Sequence, residues 1–307
     1  MFASGREVLA KALAGNYAVG AFNFNNMEAL QAIVEAAREA RSPVMAQTSE
    51  GAIQYAGLEY LACLAATAAN RAGVPVVLHL DHGKDLDLIA RCLDAGYTSI
   101  MIDASDLPLE QNIARTAKVV QLARPYGASV EAELGRLRGV EDLVSVEDKD
   151  AVLVDPLEAA AFVKETGIDY LAPAVGTSHG AFKFKGKGEL DLPRLSRVRE
   201  ACGLPLVLHG ASGVPQGVVE EARHYGARIE GAKGVPDSQI LAAIKRGVAK
   251  INVDTDLRLA SLAALRRTLH EKPSEFDPRR ILGPTREAMR RICREKMTLF
   301  GSEGRAT

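Results

Sequence analysis

The chain has 307 residues, 47% of them hydrophobic and 25% charged, which excludes a disordered, collagenous or fibrous protein. Lys plus Arg number 38 and Asp plus Glu 39, a net charge of −1, so no whole-molecule field gathers nucleic acid or an anionic membrane. Any anionic ligand must be held by a local site. Cys63, Cys92, Cys202 and Cys293 form no CxxC and no dense framework, and read as reduced thiols in helices or core. Residues 1–16 lack a signal-peptide apolar block, and no run approaches the ~18 apolar residues of a membrane span. The expectation is a soluble cytoplasmic protein with no nucleic-acid or membrane partner.

Short apolar runs rich in β-branched residues recur between longer helical patterns. Strands are predicted at Tyr17–Asn23, Pro43–Thr48, Val76–Asp81, Ser99–Asp103, Ser129–Leu134, Tyr170–Val175, Leu204–His209 and Lys250–Asp254. Most read as continuous apolar stretches, the pattern of parallel strands buried on both faces. Helices are predicted at Asn26–Arg41, Leu58–Ala72, Lys84–Ala95, Leu109–Tyr126, Pro156–Thr166, Leu192–Ala201 and Pro236–Arg246. In the first of these, Met27, Leu30, Ile33, Val34 and Ala37 fall on one face. Glycines at 73, 96, 127, 167, 203 and 247 stand between a helix and the next strand, as C-cap glycines do.

Eight alternating β and α units with no composition break predict a (β/α)₈ TIM barrel in one domain, 1–307. No GxGxxG follows the first strand, which weighs against a doubly wound dinucleotide fold. Extra helices are predicted at Ser4–Gly15, Gln216–Tyr225 and from Pro278 on. The charged stretch Gly135–Asp150 reads as a mobile loop rather than an element.

Chemistry in such a barrel sits at the C-terminal ends of the strands. There stand Asn23, Ser49, Asp81-His82, Asp103, Glu131 and Glu133, His179, His209 and Asn252. His82, His179 and His209 suggest three imidazoles around a metal with an open position, a catalytic zinc geometry that also suits cobalt and nickel, so residue type does not fix the ion. His79, inside a strand, reads as a core residue, and His224 and His270 as exposed helix residues. Gly210-Ala211-Ser212-Gly213 after the seventh strand and Asn252-Val253-Asp254-Thr255 after the eighth occupy the positions where barrels bind phosphate; alone, each is equally a tight turn or an N-cap. His179 to Lys183 could add backbone donors and a cation. Asp81, next to a metal-ligand candidate, suits proton transfer on a substrate hydroxyl, or orientation of a histidine. Glu141 is a loop carboxylate able to swing over the site, or a solvated loop charge. Together these residues suggest a metal-activated site for a small phosphorylated substrate, with carbon–carbon cleavage and isomerisation both open.

The runs VGAFNFNN (19–26), LHLDHG (78–83), SIMIDAS (99–105), VEAELG (130–135), VGTSHG (175–180), LVLHGASG (206–213) and KINVDTD (250–256) resemble, in order and over nearly the whole chain, the class II ketose-bisphosphate aldolases. The resemblance implies a glycolytic and gluconeogenic lyase that splits fructose 1,6-bisphosphate reversibly into dihydroxyacetone phosphate and glyceraldehyde 3-phosphate through an enediolate. By motif, His82, His179 and His209 match the ligands of a catalytic Zn²⁺ or Co²⁺, and Asp103 and Glu133 carboxylates of an alternative or second metal position. Asp81 matches the group that exchanges the proton at the C4 oxygen, and Glu141 the loop acid that serves the enediolate carbon. Gly180, Lys183, Gly210, Ser212, Asn252, Asp254 and Thr255 match the ketose-phosphate pocket, and Asn23 and Ser49 substrate contacts. Arg279 resembles a residue that reaches the distal phosphate in a neighbouring subunit. The resemblance also implies a homodimer or homotetramer and, in some members, a monovalent cation. Rival readings are a tagatose-1,6-bisphosphate aldolase, a lysine Schiff-base aldolase, and a non-catalytic phosphosugar-binding protein. Lys250, at the start of the eighth strand, lies at the wrong end for the Schiff base.

Overall fold

The structure is a computed structural model and describes residues 2–135, 138–141, 144–146, 153–176, 178–179, 189–229 and 233–306. Eight parallel strands close into a barrel in the order β1 (Val19–Asn23), β11 (Val248–Val253), β10 (Leu206–Leu208), β8 (Tyr170–Pro173), β5 (Ser129–Leu134), β4 (Ser99–Ile102), β3 (Val76–Gly83) and β2 (Val44–Ser49). All eight predicted strands are present with ends moved by up to two residues; β11 begins two residues earlier, which makes Lys250 its third residue rather than its first. Buried apolar residues on both faces account for their pattern, since the outer face is covered by helices.

The helices are α1 (Gly5–Ala14), α2 (Met27–Ala40), α3 (Glu50–Ala56), α4 (Leu58–Ala72), α5 (Leu86–Asp94), α6 (Leu109–Ala123), α7 (Pro156–Thr166), α8 (Leu192–Cys202), α9 (Gln216–His224), α10 (Asp237–Ile244), α11 (Thr255–Glu271) and α12 (Pro278–Leu299). Their ends follow local chemistry. Asp155 accepts from the N–H groups of Leu157 and Glu158, with Pro156 in the first helical position. The glycines at 73, 127, 167 and 203 take φ between 65° and 69°, the left-handed C-cap conformation. Two expectations are corrected. Met27 is 45% exposed and stands off the buried face of α2, which Ala29, Leu30, Ile33, Val34 and Ala37 form. Within Gly135–Asp150, the backbone forms a hairpin of β6 (Arg138–Glu141) and β7 (Val144–Val146). Strand β9 (Ser178–His179) pairs parallel with β6, so the chain after β5 joins the chain after β8 in a second, three-stranded sheet.

The barrel interior is layered. At the N-terminal end of the strands, Val8, Leu9 and Ala12 of α1 pack with Val19, Met45, Val77, Tyr170 and Val207. Above this apolar plug lies a polar layer of His79, Ser99, Glu131 and Lys250, all fully buried. Above that stand the strand-end residues. Among the described residues, no helix is long and apolar enough to cross a membrane. Leu9 is fully buried in the plug, so Leu9→Ala is expected to cost about 2–5 kcal/mol. Denaturant unfolding tests this; an unchanged midpoint would detach α1 from the barrel's stability.

Candidate active site

Asp81 and His82 are adjacent in a strand, where successive side chains should point to opposite faces. The pairing of β3 with β4 slips between Leu80 and Gly83, and His82 takes φ 49°. This bulge turns both side chains into one site. Gly83 makes it possible, because a Cβ there would meet the carbonyl oxygen of Met101 and Cδ2 of Leu80 at 2.8 Å.

Asp81 accepts three amide hydrogen bonds. Asn23 Nδ2 (2.9 Å) and Gln47 Nε2 (3.1 Å) donate to Oδ2, and Asn252 Nδ2 (2.9 Å) to Oδ1. Burial works against the Asp81 charge, but His82, His209, Lys250 and the Asn23 bond outweigh it and hold the carboxyl below its ordinary range.

His82 Nδ1 donates to Asp103 Oδ2 at 2.8 Å, and Ser105 Oγ donates to the other Asp103 oxygen. His209 Nε2 donates to Glu131 Oε1 at 2.6 Å, and Lys250 Nζ donates to Glu131 Oε2 at 2.7 Å. Donation through Nε2 leaves Nδ1 as the lone-pair nitrogen of His209. That Nδ1 faces His82 Nε2 at 2.9 Å. Two ring nitrogens at this distance need a proton or an ion between them. The proton of this pair sits on His82. Burial opposes its charge, yet Asp81 and Asp103 raise its pKa to about 10, while burial and the His82 charge push His209 well below its ordinary value. Burial, followed by the Asp103 charge, raises Glu133 to about 8.

The donor set fits a divalent metal. Ligand-type atoms of Asp81, His82 and His209 lie within 4.8 Å of one another, as do those of His82, Asp103 and Glu133. Among the described residues, Glu133 Oε2, Gln47 Oε1 and Asn252 Oδ1 are buried acceptors with no hydrogen-bond partner.

The structure thus brings together Asn23, Asp81, His82, Asp103, Glu133, His209 and Asn252. Ser49 is registered beside Asp81 and caps α3 through Ala52 N–H. Gly210 (φ 57°) and buried Ser212 follow β10, and Thr255 opens α11. The Asp254 side chain accepts from Arg258 and does not cap α11. Arg279 is exposed and its guanidinium grips Asp277. The backbone registers Gly139 beside His179, with Glu141 two residues further along β6. The side chains of Glu141 and His179, and all of Gly180 and Lys183, lie outside the described residues. Gln47 was missed as a site residue, Glu131 was placed at a strand end without a role, and Lys250 was weighed only for a Schiff base, so their pairing was not foreseen. Their signal was a polar side chain inside an otherwise apolar strand, facing the barrel axis. His79 is a core residue as expected, with Nδ1 2.6 Å from Ser99 Oγ. His224 and His270 are exposed.

A closed (β/α)₈ barrel with clustered histidines and carboxylates at its C-terminal mouth defines a barrel enzyme with a metal-type site. The chain matches the family model described as fructose-bisphosphate aldolase class-II over residues 3–305. It is 51% identical over 306 residues to the fructose-bisphosphate aldolase of Thermus caldophilus, covering 100% of both chains. It is 49% identical to that of Helicobacter pylori, covering 98% of this chain and 99% of the other. The crystal structure of the YdjI aldolase from Escherichia coli K12 superposes with TM-score 0.83 at 33% identity, covering 100% of both chains. The chain belongs to the class-II fructose-bisphosphate aldolase family, a family of metal-dependent lyases.

Metal ligation by His82, as the sequence motif leads one to expect, requires an unprotonated ring nitrogen. With His82 raised to about 10, metal loading at pH 7 is expected to release protons, and affinity to rise up to about tenfold per pH unit towards that value. Calorimetry in buffers of different ionisation enthalpy measures this. Loading with no net proton release would overturn the raised His82 pKa.

Proposed function

We propose that the chain catalyses reversible cleavage of fructose 1,6-bisphosphate to dihydroxyacetone phosphate and glyceraldehyde 3-phosphate, as one catalytic domain spanning 1–307. The observation that carries this is Asp81: a buried carboxylate fixed by three amide donors beside the His82–His209 pair. In this reading His82, His209 and His179 hold a Zn²⁺ or Co²⁺ ion, with Asp103 and Glu133 serving a second metal position. When bound, the ion polarises the substrate ketone and stabilises the negative charge of the cleaved carbanion.

The protein's own groups do the rest. Asp81 is ionised at neutral pH, its pKa lying below the ordinary carboxylate range, so it can take the proton of the C4 hydroxyl as the C3–C4 bond breaks. The donors Asn23, Gln47 and Asn252 aim its two oxygens and oppose its rotation. Glu141 delivers a proton to the carbon of the leaving enediolate. Gly180, Lys183, Gly210, Ser212, Asp254 and Thr255 form the phosphate pocket, supported by the backbone turn at Gly210 and the N-terminus of α11. Asn23, Ser49 and Asn252 contact the sugar, and Arg279 serves the distal phosphate of a neighbouring subunit. The working unit is a cytoplasmic homodimer or homotetramer, with a monovalent cation as a further ligand. A Schiff-base route is disfavoured, because Lys250 is fully buried and its ammonium is paired with Glu131.

Cleavage of fructose 1,6-bisphosphate is expected to be lost on chelation and restored by zinc or cobalt. Tagatose 1,6-bisphosphate, assayed in parallel, tests the C4 epimer. Activity that survives chelation and is abolished by borohydride would overturn the metal assignment. Asp81→Ala is expected to lower kcat by about 10²–10⁴ while the protein still takes up metal. A metallated Asp81→Ala protein of full activity would remove Asp81 from proton transfer.

A further inference from the structure

We propose that the C-terminal end of α12 positions the 210–214 loop for phosphate binding, through a buried ion pair between Lys296 and Asp256. The inference rests on the reading of Gly210 and Ser212 as part of a phosphate pocket.

The loop after β10 is costly to hold. Val214 takes φ 47°, a left-handed conformation that a β-branched residue adopts only when its surroundings impose it. Val214 is buried against Val219 and Leu259, so packing holds its side chain but satisfies none of the loop's amides. A cavity of about 720 Å³ opens there, lined by Val214, Lys233, Gly234 and Leu299 among others. The constraint comes from Asp256, the second residue of α11, which is fully buried. Its Oδ1 accepts from Val214 N–H at 2.8 Å, and its Oδ2 from Gly213 N–H at 3.0 Å. One carboxylate therefore grips two successive backbone amides of the loop.

Lys296 completes the grip. Its Nζ lies 3.0 Å from Asp256 Oδ2, and the residue is 8% exposed although it sits near the end of a surface helix. A buried ammonium needs such a partner. Gly213 admits it, since a Cβ there would stand 2.7 Å from Nζ. On the facing side, Val235 N–H donates to the carbonyl of Ser212 at 3.1 Å. At Gly234 a Cβ would overlap the backbone of Ser212 and Gly213. The helix end is itself anchored, with Ile292, Cys293 and Met297 in the main core. Lys296 thus links a rigid helix to the loop's geometry without being part of the loop. It is a positioning residue, and it gives the C-terminal helix a role in substrate affinity.

The test compares Lys296→Met, Lys296→Arg and the double variant Lys296→Met/Asp256→Asn with the unaltered chain. The double variant leaves no unpaired buried carboxylate, so it reports even if the single variant folds poorly. Four quantities are read: KM and kcat for fructose 1,6-bisphosphate, competitive inhibition by inorganic phosphate, and bound metal. In Lys296→Met and the double variant, KM is expected to rise about tenfold or more. Phosphate inhibition should weaken in step, kcat should fall by a smaller factor, and bound metal should be retained. Lys296→Arg should recover most of the lost affinity. His209 immediately precedes the loop, so general loosening would lower metal content and phosphate affinity together; that parallel loss, or an unchanged KM and phosphate inhibition, overturns the clamp. An unaltered chain that cleaves no sugar bisphosphate would instead overturn the reading of the site on which the clamp depends.

Discussion

The centre of the barrel is organised by one carboxylate. Glu131 is fully buried and spends each oxygen on a different obligation, Oε2 on the Lys250 ammonium and Oε1 on His209 Nε2. A buried ion pair of this kind is expensive to desolvate, and removing either partner leaves a charge with nowhere to go. Its use here is orientation. Because Glu131 accepts the hydrogen bond from Nε2–H, His209 turns its Nδ1 towards His82. The chemistry at the mouth is therefore dictated one layer below it, by residues on β5 and β11.

That lower layer exists because the barrel is closed and plugged. The apolar floor from α1 leaves the middle layer dry, so its polar groups must satisfy one another. His79 and Ser99 do so, and Ser99 pairs in turn with Tyr170. The upper layer obeys a different rule. Regular strands would deliver alternate residues to the axis, and the bulge after Leu80 breaks that alternation to deliver two consecutive ones. The site therefore depends on rigidity below and a local irregularity above, with Gly83 allowing the second.

The architecture was legible because parallel strands buried on both faces are long apolar words between glycine-capped helices. The strand-end residues were legible for the same reason, since the word stops where Asp81, His82 and His209 begin. Polar residues inside the words were harder to read. Gln47 and Lys250 look like interruptions, and only closure of the barrel shows that they face its axis. The hairpin strands at Arg138–Glu141 and Val144–Val146 were hidden because their pairing is carried by the backbone, in a charged, glycine-containing segment whose sequence sets no clear period. The seven-residue α3 was missed for a related reason, having only Ile53 buried. The Asp256–Lys296 pair joins two helices that are neighbours in the fold and far apart in the chain, a relation that no local pattern encodes.

Charge balance explains why this cluster is a place for a cation. Asp81, Asp103, Glu131 and Glu133 converge within the barrel mouth and interior, while Lys250 is the one permanent cation bonded to any of them among the described residues. Protonation offsets part of this negative charge: His82 is driven up to about 10 and Glu133 to about 8. A divalent ion supplies the same positive charge without the protons, and frees nitrogens and oxygens that the protons occupy. Asp81 is exempt from this exchange. Its three amide donors satisfy the carboxylate without neutralising it, so it stays a base beside groups that change protonation. That separation of roles, set by amides on β1, β2 and β11, keeps one carboxylate ionised and free to accept a proton in a site whose other carboxylates are paired with histidines and Lys250 or held protonated.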